Sequence, residues 1–529
     1  MEPKVKGGRT VKLNEALSSI VSRYPDKAAF IYQDEETSYY EFESQVKRFA
    51  SGLEKLGYQK GDHIALISWN SPLYVIAFYS LLRMGAVIIP VKPILTANEI
   101  KYILKDGNVK AVIAVNELVE SLEEIAEELP DVKHYILSGT DIPLGNQHLM
   151  SKVKLFNRVV EEGSLEFEAP DLDEEDTAII LYTSGTTGKP KGAMLSYQNL
   201  YVNAMSTADY LEFNSDDRVI SVLPMVHVFS IGASFCGPLL KGATLLIMQK
   251  FSPTEVFHIA NKYKATIFAG VPTMYNYLLQ TAKKQPAYQG CFSDIRLCLS
   301  GGAAIPLALL NAFENTFHVT ITEGYGLSEA APVAYNPVHC APKPGSIGKR
   351  IPQIECKVVD SSGKEVRMGE VGELIVKGPH VMKGYYKLPE ETGKTIQNGW
   401  LHTGDLVRMD EDGYYYIIDR IKDVIIVGGY NVYPREVEEV LSEHPQVVEA
   451  AVVGTPHEEK GEAIIGFVAV SGDVTEEMLI DYCRKSLVKF KVPYKIEFLD
   501  ELPKNATGKI IKKDLVAMAK RSRLMEKPV

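Results

Sequence analysis

Cysteine is sparse and tryptophan almost missing: 6 and 2 residues in a chain of 529. The cysteines, at 236, 291, 298, 340, 356 and 483, are irregularly spaced and form no C-x-x-C pair. This excludes a disulfide framework and a zinc site of that kind, and suits free thiols in a reducing compartment. No run approaches the roughly 20 apolar residues of a membrane span, and the first residues lack both the basic segment and the apolar core of a secretion signal. The final Lys-Pro-Val is not a peroxisomal address, so a cytoplasmic protein is expected. An excess of positive charge is missing too. The net charge of -11 argues against a nucleic-acid partner, and any anionic ligand must be held by local groups. Basic residues gather only late, at Lys512, Lys513, Lys520, Arg521, Arg523 and Lys527. They read as a solvated helix face, with peripheral contact to an anionic membrane surface as the alternative.

What is present is patterned sequence long enough for several packed units. From His63 to about Phe313, short apolar runs alternate with longer helical segments, the signature of repeated β-α units around a parallel sheet. The pairs are a strand over 63–68 before a helix over 72–84, a strand over 177–182 before a helix over 198–210, and a strand over 265–269 before a helix over 274–281. Past Gly345 the texture changes: segments 354–360 and 372–377, with the turn Asp360-Ser-Ser-Gly363, predict short antiparallel strands. After Asp419, a strand over 424–427, a helix over 434–442 and strands over 447–454 and 463–470 predict a small α+β unit. The expected class is α/β multidomain. Residues 1–419 form a large domain of layered α/β sheets with a β-barrel-like subdomain, 420–422 a short hinge, and 423–529 a small mobile α+β domain.

The densest chemical signal is Tyr182-Thr-Ser-Gly-Thr-Thr-Gly-Lys-Pro-Lys-Gly192, after an apolar strand and before helical sequence. Gly185 and Gly188 let successive N–H groups converge on an anion. Thr183, Ser184, Thr186 and Thr187 add hydroxyls, and Lys189 and Lys191 add charge. It is not a Walker A loop, because G-x-x-x-x-G-K-[ST] does not occur and Pro190 follows the first lysine. Ser300-Gly-Gly-Ala-Ala-Ile-Pro306 also follows a strand, and Gly324-Tyr-Gly-Leu-Ser-Glu329 sets a ring near a carboxylate. Flat backbone and a ring suit a base, and Glu329 is a hard oxygen ligand for Mg2+.

Together these segments resemble those of the adenylate-forming superfamily of acyl-CoA synthetases, beetle luciferases and peptide-synthetase adenylation domains. They look most like bacterial medium- and long-chain fatty-acid CoA ligases. The likeness continues through Gly399-Trp-Leu-His-Thr-Gly-Asp405, Asp419-Arg-Ile-Lys-Asp423, Gly428-Gly-Tyr-Asn-Val-Tyr-Pro434 and Pro503-Lys-Asn-Ala-Thr-Gly-Lys509.

The resemblance implies roles residue by residue. ATP is held by the loop from Thr183 to Lys191 with Gly301, Gly302, Ala303, Glu323, Gly324, Tyr325, Gly326 and Ser328. Asp405 clamps the ribose beside Arg420, and Glu329 and Thr183 meet Mg2+. Lys509 enters the site during adenylation, Lys422 is the hinge residue, and Gly428, Gly429 and Tyr430 line the CoA channel. His227, in Pro224-Met-Val-His-Val-Phe-Ser230, lies beside the acyl carboxylate. Residues 225–229 hold no carboxylate to pair with an amino acid's ammonium. Val228, Phe229, Gly301 and Ala303 suit an apolar acyl chain. The implied reaction joins a fatty acid to CoA with ATP, through an acyl-adenylate, releasing AMP and diphosphate. A carrier-protein arm instead of CoA, an aryl acid, luciferase-like oxygen chemistry or a silent nucleotide sensor stay open, as does monomer against homodimer.

Overall fold

The computed structural model describes residues 12–139, 147–183, 189–457, 460–504 and 510–525. Two large sheets build its N-terminal part. In spatial order the first contains Lys349–Arg350, Ala330–Tyr335, Ile321–Leu327, Leu297–Ser300, Ile267–Gly270, Arg218–Ser221, Thr244–Ile247, Ala28–Tyr32 and Glu35–Ser38. Its interior pairs are parallel and both ends are antiparallel. The second contains Gly384–Tyr385, Lys191–Ser196, Thr177–Thr183, Val87–Val91, His63–Ile67, Ala111–Ala114, His134–Leu137 and Val153–Leu155.

The helix Pro72–Met84 shows why the layers close on each other. Its sequence PLYVIAFYSLLRM is apolar around almost the whole circumference, which suits a helix covered on every side. Ser71 accepts the Tyr74 N–H, Pro72 supplies the preset first turn, and Gly85 ends the helix in the left-handed conformation. Tyr74, Phe78 and Tyr79 meet Phe235 edge-on, and Tyr79 also meets Phe42. The resulting apolar core draws on residues of both sheets.

Strands Glu355–Val359, Gly372–Lys377, Ile396–Gln397, Trp400–Met409 and Tyr415–Arg420 form an antiparallel sheet where the sequence predicted β-rich structure. The small C-terminal unit pairs Tyr430–Val432, Ile425–Val427, Gly461–Val470, Val447–His457 and Lys495–Phe498 over its own apolar cluster. The helix Lys512–Met525 buries Leu515 and Ala519 against that sheet. Lys513, Lys520 and Arg521 face outward, and Lys512 pairs with Glu438 at 2.7 Å. All six cysteines are free thiols. Among the described residues no helix is long and apolar enough to cross a membrane.

The helix expected over 198–210 is present, and between it and the Tyr182–Gly192 segment lies a strand that the sequence did not show. Lys191–Ser196 is a strand that returns antiparallel along Thr177–Thr183, with Thr183 opposite Lys191. The helix Tyr197–Tyr210 starts only where Ser196 and Asn199 form a reciprocal cap.

Candidate active site

The root of the hairpin is firmly held. The Tyr182 hydroxyl donates to Asp106 at 2.6 Å, and desolvation together with that carboxylate holds the phenol far above its usual range. Thr183 Oγ1 donates to the Lys191 carbonyl at 3.4 Å. Ser184, Gly185, Thr186, Thr187 and Gly188 lie outside the described residues. Both lysines have protein partners: Lys189 sits 5.6 Å from the Tyr102 ring centre, and Lys191 pairs with Glu391 at 2.6 Å.

The second wall stands where the strand Leu297–Ser300 ends beside the strand Ile321–Leu327. Ser300 and Glu323 are register partners, both buried, each with an oxygen lacking a hydrogen-bond partner among the described residues. Burial pushes the Glu323 carboxyl from an ordinary 4.5 up to about 7, against the opposing pull of the Arg435 guanidinium and the Ile305 N–H. Beyond them, the Tyr325 hydroxyl donates to Asp405, and Arg420 Nε lies 3.2 Å from the other Asp405 oxygen. Asp405 and Arg420 are cross-strand partners, which fixes the pair by backbone register. Desolvation and the Asp405 charge keep the Tyr325 phenol protonated. An ionised carboxylate has about four acceptor sites, so Asp405 retains capacity for two ribose hydroxyls.

The acyl motif meets this wall. A β-carbon on Gly301 would stand 3.1 Å from the Phe229 ring and 3.4 Å from the Gly324 carbonyl, so any larger residue there would press the Phe229 ring back by a few tenths of an ångström. Asn70 accepts from the Met225 N–H at 2.9 Å and donates to the Leu223 carbonyl at 2.9 Å, while Tyr74 donates to the Met225 carbonyl at 3.1 Å. These staples leave His227, half-buried, at the start of the short helix Val228–Ser230. Sequence reasoning missed Asn70 and Tyr74, whose partners lie about 150 positions away, with no local pattern to mark them.

In the small unit, Gly428 and Gly429 both have positive φ, 59° and 87°, in a two-residue turn that pairs Val427 with Tyr430. That conformation is the one strand twist demands of such a turn. Tyr430 is exposed and stacks on Phe490 at 4.6 Å. Lys422 is exposed in the turn Ile421–Asp423 that follows Arg420. Buried Asp419 accepts the N–H groups of Arg420 at 2.7 Å and Arg435 at 2.9 Å, joining the last strand of the antiparallel sheet to the helix Pro434–Ser442. Lys509 lies outside the described residues.

Glu329 occupies the turn between Ile321–Leu327 and Ala330–Tyr335, where Tyr385 donates to its Oε1 at 2.8 Å. The predicted metal donors, Glu329 and Thr183, are all oxygen. That chemistry fits Mg2+, which is commonly held by one or two carboxylates and by substrate phosphates. Among the described residues no group of three or more His, Cys, Asp or Glu is placed to hold a metal by itself.

The profile of AMP-binding enzymes matches residues 17–386, and that of the AMP-binding enzyme C-terminal domain matches 436–509. A long-chain-fatty-acid–CoA ligase of Bacillus subtilis is 36% identical over 95% of this chain and 94% of its own. One of Escherichia coli O6:H1 is 35% identical over 97% and 95%. Among solved structures, ATP-bound MatB from Rhodopseudomonas palustris superposes with a TM-score of 0.87 at 30% identity, over 96% of this chain and 99% of that one. The anthranilate CoA ligase AuaEII with anthranoyl-AMP gives 0.90 at 28% identity, over 97% and 98%. With one profile spanning well over half the chain and relatives more than one-third identical along nearly all of it, the chain belongs to the AMP-binding enzymes, the adenylate-forming family that its ordered motifs resemble.

Proposed function

We propose that this chain, an ATP-dependent acid–CoA ligase, takes a fatty acid as its acid. The observation that carries the reading is the close approach of the Phe229 ring to Gly301, which itself lies beside the Gly324 carbonyl, so that an apolar segment borders the backbone assigned to the nucleotide. Segment 225–229 has no carboxylate for a substrate ammonium, and the Bacillus subtilis and Escherichia coli relatives bear the name of long-chain-fatty-acid ligases.

In the first step a carboxylate oxygen of the acid bonds to the α-phosphorus of ATP while the bond from that phosphorus to the bridging oxygen breaks, and diphosphate leaves with the electron pair. In the second, the CoA sulfur, having given up its proton, bonds to the acyl carbon and AMP leaves. The hairpin from Thr183 to Lys191 grips the phosphates, Tyr325 and the Gly301–Ala303 backbone flank the base, and Asp405 with Arg420 holds the ribose. His227 orients the carboxylate, and Lys509 meets the charge that develops at the α-phosphate. Glu329 and Thr183 would hold Mg2+, which when bound would offset phosphate charge. Residues 423–529 turn about 420–422 between steps, bringing Gly428, Gly429 and Tyr430 to the thiol's path. A cytoplasmic location belongs to the same reading.

The test is diphosphate release over acids from acetate to stearate, with benzoate, anthranilate and amino acids alongside, with and without CoA. The highest kcat/KM is expected on a medium- or long-chain acid, with AMP release requiring CoA. Preference for an aryl acid, as the anthranilate ligase's likeness allows, would replace the fatty-acid assignment, and preference for an amino acid would overturn the branch altogether.

A further inference from the structure

The segment after Val381 touches both the phosphate hairpin and Glu329. On one side Gly384–Tyr385 adds a third antiparallel strand to the hairpin, pairing with Met194 and Ala193. The Lys383 N–H bonds to the Met194 carbonyl at 2.9 Å, and the Tyr386 N–H to the Gly192 carbonyl at 2.8 Å. On the other side the Met382 N–H bonds to the Glu329 carbonyl at 2.8 Å, and the Tyr385 hydroxyl donates to Glu329 Oε1 at 2.8 Å. Both the backbone and the side chain of Glu329 are thus held by one stretch of chain.

The ring of Tyr385 is itself fixed. Its N–H bonds to Thr392 Oγ1 at 2.8 Å, and Lys191 Nζ lies 5.3 Å from the ring centre. Lys191 is kept there by Glu391 at 2.6 Å, and Lys394 holds the second Glu391 oxygen at 2.8 Å. A cation over a ring face gains about 0.5–1 kcal/mol at exposed sites and more where water is excluded, so the ammonium restrains the ring as well as balancing the carboxylate.

We propose that Tyr385 is a positioning residue for the Glu329 carboxylate, and that Glu391, through Lys191, positions Tyr385, so that the phosphate hairpin and the carboxylate that meets the nucleotide's cation are set as one unit. This rests on the reading of Glu329 given above. Groups that orient a metal-binding carboxylate commonly change metal affinity by about 10–100-fold when removed. A residue that merely packs would not move that quantity.

The test uses the full chain, a non-hydrolysable α,β-methylene analogue of ATP, and Mn2+ titrated by electron paramagnetic resonance. Tyr385→Phe is expected to weaken Mn2+ binding in the ternary complex about tenfold, with metal-free analogue affinity unchanged. Glu391→Gln is expected to act in the same direction by about threefold, and the double variant to fall short of the product of the two, because the residues act in series. Equal Mn2+ affinity in the parent and Tyr385→Phe would overturn the proposal while leaving the reading of Glu329 intact. A parent that binds the analogue but no Mn2+ would overturn both. Should Tyr385→Phe fail to fold, as judged by circular dichroism, Glu391→Gln decides, and unchanged Mn2+ affinity in it would overturn the proposal.

Discussion

Lys509→Ala is expected to slow acyl-adenylate formation by about 10²–10³-fold, the usual cost of losing one group that stabilises transition-state charge. Transfer of the acyl group from supplied acyl-AMP to CoA is expected to stay within about twofold of the parent, because an interaction made in only one step is lost from that step alone. The role of Lys509 comes from the motif resemblance of Pro503-Lys-Asn-Ala-Thr-Gly-Lys509. Arg420 is held by Asp405 at 3.2 Å, Lys191 by Glu391 at 2.6 Å, and Lys189 lies over the Tyr102 ring. Diphosphate release and thioester formation from synthetic acyl-AMP, measured separately, check the role of Lys509. Equal loss of both would contradict a small domain that presents different groups in turn.

The second large effect concerns Glu323 and pH. In the folded chain this carboxyl keeps its proton up to about pH 7, whereas its ordinary value is 4.5. Between those values the folded state holds a proton that the unfolded chain has released, so stability falls as pH rises through this window and is level above it. At 1.36 kcal/mol per pKa unit the change is on the order of 3 kcal/mol. The cause is burial of a carboxyl with one oxygen lacking a hydrogen-bond partner among the described residues, only partly offset by Arg435 and the Ile305 N–H and reinforced by the charge of Glu439. Glu323→Gln removes the titration. The stability difference between variant and parent, from urea unfolding at several pH values across the window, is expected to grow in the variant's favour by that amount from acid to neutral pH. A constant difference would show that Glu323 is ionised in the fold.

Local signals located much of this molecule. The long, mostly apolar run at Pro72–Met84, bounded by Ser71-Pro72 and Gly85, and the strong apolar stripe of Pro434–Ser442 gave those helices at their observed bounds. Predicted strands over 372–377 and 463–470 fall within Gly372–Lys377 and Gly461–Val470. The strand Lys191–Ser196 was not legible: it is short, contains a glycine, and exists through pairing with Thr177–Thr183. The helix expected over 198–210 was legible, and the cap formed by Ser196 and Asn199 starts it at Tyr197.

At the site, motif resemblance points to Glu329, Asp405 and Arg420, and the structure adds the groups that contact them. Tyr325 on Asp405 and Tyr385 on Glu329 join residues 80 and 56 positions apart. Such pairings follow from sheet topology, and neither composition nor spacing encodes them. Lys509 and the loop residues Ser184–Gly188 rest on the sequence alone, lying outside the described residues.

The central claim is that one protein makes an acyl-adenylate and then passes the acyl group to CoA. Its most direct test is a single turnover with radiolabelled ATP and a long-chain acid, with one portion quenched before CoA is added and the other chased with CoA. The account predicts that acyl-AMP accumulates on the protein with release of diphosphate, and that adding CoA converts it to acyl-CoA and free AMP. Release of ADP and phosphate, or acyl-CoA formed with no adenylate before it, would contradict the account.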